Sequence, residues 1–158
     1  MTDSDAEQRL ATAVVNAMMA RDAFSQWLGI RVQAVRPRQV TVSMTVRQDM
    51  VNGFGLAHGG IAYSLADTAL AFASNTHGRV TVSIENSITY PLPVRAGDEL
   101  TAVAEQESAS NRLGYFRVTV RRPGADGEGE IVALFRGTVY KTKNDFFSGD
   151  EAGARNRR

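Results

Sequence analysis

Residues 57–75 read AHGGIAYSLADTALAFASN, and two features of this run could do chemistry. One is Asp67, a single acid among Leu65, Ala66, Ala69, Leu70, Ala71, Phe72 and Ala73. The other is His58-Gly59-Gly60 at the head of the run. Apolar residues almost all round predict a buried helix over 59–75, and its many alanines allow a sheet to close tightly around it. The acid has a bland reading: it sits at a solvated rim or pairs with a buried Arg. Shielded by apolar neighbours, it can instead act as a general base. The glycines fall where the first N–H groups of a helix lack partners, a place suited to a negative oxygen. Their bland reading is close packing or a turn. An oxyanion acceptor and a shielded carboxylate together point to acyl transfer to water. Ser64 has no His within reach by helical spacing, and His77 lies at the far end, so a Ser-His pair is unsupported. Two histidines and no cysteine leave no zinc-ligand set, and no metal is expected.

The elements that must position these groups show in the hydrophobic period. Leu10, Val14, Ala17 and Met18 predict an amphipathic helix over about 5–22. Val40, Val42, Met44 and Val46 alternate with Thr41, Ser43 and Thr45, a half-buried strand. LGIRVQAV is its expected partner, through a turn at Arg36-Pro37-Arg38. Asn52, Gly53 and Gly55 mark a loop before the central helix. Four strand-like runs follow, over 80–90, 99–109, 114–122 and 131–142, with Ile131, Ala133, Phe135 and Val139 expected on one face. Short turns join antiparallel strands, so the expectation is α+β: one curved antiparallel sheet of five or six strands around a long central helix. Residues 1–24 read as an N-terminal helix and lead-in, 25–143 as the domain, and 144–158 as a frayed tail.

Composition narrows the partners. The chain has 158 residues, with 18 Lys and Arg against 17 Asp and Glu. No basic field advertises nucleic acid or an anionic membrane. No apolar run reaches the roughly 20 residues of a membrane-spanning helix. The acidic start, MTDSDAEQRLATAVV, does not resemble a signal peptide, and a cytoplasmic protein is expected.

VNGFGLAHGGIAYSLADTALAFASN followed by VTVSIENSITYPLPVRAGDELTAVAEQ resembles the hotdog-fold acyl-CoA thioesterases, in particular the phenylacetyl-CoA thioesterase type of phenylacetate degradation. The specific combination is Asn-Gly, then His-Gly-Gly, then Leu-Ala-Asp-Thr; ALFRGTVYK matches the final strand, and the resemblance spans about 25–142. It implies the hotdog fold, a long helix wrapped by an antiparallel sheet. It implies that Asp67 is the catalytic carboxylate, that Gly60 offers its N–H to the thioester oxygen, and that Asn52 holds the attacking water or the thioester. His58 would shape the helix start, Thr68 follows the acid as in the family, and Ser83 matches a position that orients water in some relatives. Simpler readings stand beside these: Asn52-Gly53 as a turn, His58 as a helix cap, Ser83 as an ordinary strand residue.

Coenzyme A is part of the substrate, and no other cofactor is implied. Its phosphates call for Arg or Lys. Arg112, with Asn111 and Gly114 in SASNRLGYFRV, lies where this fold often contacts the pantetheine arm; Arg79 and Arg95 are alternatives. Phe54 and Tyr63 are aromatic candidates for the acyl pocket, and Phe54 stands where relatives often carry His. Gly60 and Asp67 are about 10.5 Å apart along a helix axis, too far to serve one thioester carbon. Two antiparallel copies of the helix remove that difficulty, so a homodimer with shared sites is expected. The resemblance implies further pairing into a tetramer. The expected reaction is hydrolysis of an acyl-CoA, aryl or arylacetyl by resemblance, through water activated by Asp67 or, less simply, through an anhydride on it. Rivals are a non-catalytic acyl-CoA sensor and an enoyl-CoA hydratase or dehydratase of the same fold. The latter pairs its acid with a His, and no His is well placed beside Asp67.

Overall fold

The computed structural model describes residues 2–125 and 127–148. Helix α1 (Asp3–Arg21) opens with a reciprocal cap: the Thr2 hydroxyl accepts from the Asp5 N–H at 3.2 Å, and the Asp5 carboxylate accepts from the Thr2 N–H at 3.1 Å. Such a box satisfies two of the helix's orphan donors. Ala11, Val14 and Val15 form its buried stripe and turn it onto the domain. A second short helix, α2 (Ala23–Leu28), is absent from the sequence-based expectation; its signal is Asp22, whose side chain accepts from the Ser25 N–H and so starts a new helix directly after the first.

Strands β1 (Arg31–Arg36) and β2 (Gln39–Thr45) form a hairpin whose turn is the expected Pro37-Arg38, with Arg38 at φ 64°. A short 3-10 turn over 48–50 leads to the loop before α3 (Gly59–Asn75). Then come β3 (Arg79–Thr89), β4 (Glu99–Ala109), β5 (Leu113–Arg122) and β6 (Glu130–Asp145). All pairs are antiparallel, in the order β1-β2-β4-β5-β6-β3. Helix α3 packs against β2 through β6, so the sheet wraps it, with α1 on its other side. This is the architecture the resemblance implied.

The core lies between α3 and the sheet. Val40, Val42, Met44 and Val46 point inward as their alternation required. They meet Leu65, Ala66, Ala69, Leu70 and Phe72 of α3. Each large apolar side chain withdrawn from water contributes about 2 kcal/mol. One inward position differs from expectation. Ile131 is only half-buried, and Val132 is the fully buried residue beside Ala133. The cause is an irregularity in the β5–β6 ladder, where Val120 pairs with Ala133 and Arg121 with Ile131, leaving an extra residue on β6. Residues 144 and 145, expected in the tail, belong to β6, and the Phe146 N–H donates to Gly78 O at 2.7 Å. The rest of the expected tail, 149–158, lies outside the described residues.

Candidate active site

His58 precedes α3 in extended conformation, and its Nδ1 accepts from the Gly60 N–H at 3.0 Å. The ring is therefore a helix cap, and in its neutral form the proton sits on Nε2. Gly60, the second helical residue, is exposed, so the N–H carrying this bond stands at the surface. Tyr90 crosses the same turn: its hydroxyl donates to Gly59 O at 2.9 Å, and a Cβ on residue 59 would stand 3.2 Å from the Tyr90 ring. A cavity of about 120 Å³ opens beside this helix start, lined among others by Asn52, His58, Gly59, Tyr90 and Val94.

Asn52 organises the loop that feeds the helix. Its Oδ1 accepts from the Phe54 N–H at 2.9 Å and the Leu56 N–H at 3.3 Å. This is the Asx-type turn of the simpler reading, and it also sets Asn52 on the cavity wall. Phe54, at the tip of the loop, is 90% exposed and lines no part of that cavity within the protomer.

Asp67 stands elsewhere, half-buried on the face of α3 that Tyr63 shares. Its Oδ1 accepts from Asn86 Nδ2 at 3.2 Å. Burial pushes its carboxyl above the usual carboxylate range, and the Asn86 hydrogen bond works against that rise. Asn86 Nδ2 also donates to the Tyr63 hydroxyl at 3.0 Å, and Asn86 Oδ1 accepts from Ser83 Oγ at 2.8 Å. Tyr63 rests edge-on against Phe135, ring centroids 5.4 Å apart. Ser83 thus reaches the acid through Asn86 and does not touch it. Asn86 is the residue that sequence reasoning missed. An Asn inside a strand-like run is disfavoured, and that was the available signal.

Thr68 faces away from the acid within the chain. One residue on, it turns about 100° from Asp67, is 7% exposed, and bonds Ser25 Oγ at 3.1 Å. It ties α2 to the back of α3 and is not brought to the acid. Gly114 also takes a packing role. It is buried in β5, and a Cβ there would lie 2.9 Å from Val139 Cγ2. Asn111 and Arg112 are exposed in the β4–β5 turn, where the Arg112 carbonyl accepts from the Lys141 N–H at 2.8 Å. Of the alternatives, Arg79 is held by the Thr142 carbonyl through Nε and Nη2, and Arg95 is exposed. Among the described residues no cluster of three or more His, Cys, Asp or Glu could hold a metal, and no helix is long and apolar enough to cross a membrane.

Helix α3 therefore carries two polar features: a cavity beside the exposed Gly60 at its start, and a half-buried carboxylate two turns on. Several known proteins are similar to this chain. The sequence profile described as the thioesterase superfamily matches residues 54–127. Acyl-coenzyme A thioesterase PaaI of Escherichia coli K12 is 35% identical over 126 residues, which cover 80% of this chain and 87% of that protein. The solved structure of the E. coli PaaI protein from the phenylacetic acid degradation operon superposes with TM-score 0.83 at 33% identity, over 87% of this chain and 97% of that one. A Thermus thermophilus protein superposes with TM-score 0.72 at 40% identity, over 77% of this chain and 99% of that one.

Proposed function

From the premise that this chain belongs to the thioesterase superfamily, a family of thioester hydrolases, we propose that it hydrolyses acyl-CoA through water activated by Asp67 at sites shared between two protomers. The observation that carries the reading is the carboxylate itself. It is half-buried, its bonded partner is an amide, and its carboxyl is raised toward the range in which a base both ionises and accepts a proton. Asp67 takes a proton from water as the water oxygen attacks the thioester carbon. The carbonyl electrons move onto oxygen, which the Gly60 N–H of the other protomer receives. The tetrahedral intermediate then expels CoA as thiolate, and the proton on Asp67 passes to it. Within the protomer that N–H donates to His58 Nδ1. A developing oxyanion is the stronger acceptor and displaces the ring.

Two features support the pairing. The distance from Gly60 to Asp67 along the axis is about 10.5 Å. Strand β3 is an edge strand that exposes Val82 and Ile84, an edge that calls for a partner. The dimer is read as half of a tetramer by resemblance. An arylacetyl group such as phenylacetyl is the proposed acyl moiety: the E. coli relative comes from a phenylacetic acid degradation operon, and Phe54 and Tyr63 supply aromatic surface. Arg112 and Asn111 are the proposed contacts of the pantetheine arm.

Purified protein offered a panel of acyl-CoAs, with free thiol detected, tests the activity; tight binding without thiol release would make the chain a binding module. Mixing tests the shared site. Asp67→Asn and Gly60→Pro proteins, each nearly inactive, are unfolded together and refolded. Proline lacks the N–H yet is tolerated in the first helical turn. Half the dimers are mixed and hold one intact site, so recovery to about a quarter of wild type is expected. With Gly60→Pro verified as folded and dimeric, no recovery refutes the shared site.

A further inference from the structure

We propose that Asn86 is a positioning residue for Asp67: its amide holds carboxylate Oδ1, so that Oδ2 is the oxygen left to accept the proton from water. The inference rests on the reading of Asp67 as the base. Its support is geometric. Both amide hydrogens of Asn86 are spent, one on Asp67 Oδ1 at 3.2 Å and one on the Tyr63 hydroxyl at 3.0 Å. Ser83 Oγ donates to Asn86 Oδ1 at 2.8 Å. A flipped amide would set its carbonyl oxygen against an ionised carboxylate, so the Ser83 bond and the charge of Asp67 select the same orientation.

The fold makes room for this side chain. Asn86 pairs with Gly137 across the β3–β6 ladder. A Cβ at residue 137 would lie 2.8 Å from Asn86 Oδ1 and 2.4 Å from Leu70 Cδ2. A glycine inside a strand marks such a close approach. A larger residue there would force the Asn86 amide or the Leu70 side chain to shift.

The influences on Asp67 are burial, which raises its carboxyl, and the Asn86 bond, which lowers it; among the described residues no charged side chain adds to these two. The titratable neighbour is Tyr63 on α3, reached through the same amide. Glu85, next to Asn86 on β3, has its carboxylate on Thr138 Oγ1 at 3.2 Å. Asn86 thus opposes the desolvation of the acid, and it chooses which oxygen faces the water.

The test is the pH dependence of kcat/KM beside a carbon-13 NMR titration of the Asp67 carboxyl, in wild type, Asn86→Ala and Ser83→Ala. Loss of the amide leaves burial unopposed. The acid limb and the carboxyl titration of Asn86→Ala should both move to higher pH, with most activity regained on the alkaline plateau. Ser83→Ala, an exposed change that spares folding, should move both the same way and less, because the amide then loses one of the two groups that fix its orientation. An unmoved titration in both variants, or a loss of kcat equal at every pH, overturns the proposal. The NMR arm needs no turnover. A wild type that releases no thiol defeats the thioesterase reading, while the titration still decides whether Asn86 governs Asp67.

Discussion

At its C-terminal end α3 closes on itself, and at its N-terminal end it does not. Asn75, 3% exposed, donates through Nδ2 to the Ala71 and Thr81 carbonyls and accepts at Oδ1 from the Thr81 N–H. Thr76 Oγ1 donates to Ala73 O and accepts from the Arg38 N–H. These bonds tie the helix to the β1–β2 turn and to β3 within one chain. At the other end the Gly60 N–H has a single side-chain partner, an exposed imidazole, beside a cavity. Orphan groups at a buried end must be satisfied permanently, whereas those at an exposed end can be lent to a ligand. The closed end serves stability; under the proposed function the open end and Asp67 serve chemistry.

Substitutions can break that contrast, and the largest effect should come from the acid. Asp67→Asn should cost about 10²–10⁴-fold in turnover while the fold persists. It should also raise stability at neutral pH. The folded-state carboxyl lies above its ordinary 3.8, so its favourable contribution is present below that value and lost as pH rises through the raised one. Thermal melts across pH should show the variant at or above wild type at neutrality, with a flatter profile. A lower melting temperature there would make Asp67 a structural acid.

Next in size is the closed end. Asn75→Ala removes the buried side-chain acceptor of the Thr81 N–H and should cost about 1–3 kcal/mol in denaturant unfolding, with kcat unchanged in folded protein. A large fall in kcat instead would erase the division between the ends. Phe54→Ala changes a side chain 90% exposed in the protomer, so protomer stability should hold. If Phe54 borders the acyl pocket, preference should shift toward bulkier acyl groups by about tenfold in kcat/KM. An unchanged ranking across the panel places it outside the pocket. The smallest effect belongs to His58→Ala, where losing the cap costs about 1 kcal/mol and turnover falls only a few-fold. A loss as deep as that of Asp67→Asn would make His58 a proton carrier.

The sequence by itself determined the central helix, the strand runs, and the pairing of an odd acid with a glycine-rich helix start. Each of these is written in local periodicity and residue type, because burial of one face must repeat with the period of its element. The surroundings of the acid turned on neighbours that it does not display. Thr68 follows Asp67 in the chain, yet helical geometry turns it onto Ser25. Asn86 is 19 residues from Asp67 and reaches it only because β3 leaves the hairpin order to pair with β6. Gly137 and Leu70 then set the space between strand and helix. Hydrogen bonds between distant residues and the room left by a missing Cβ depend on strand order and packing, and so the tertiary structure alone decided what surrounds the carboxylate.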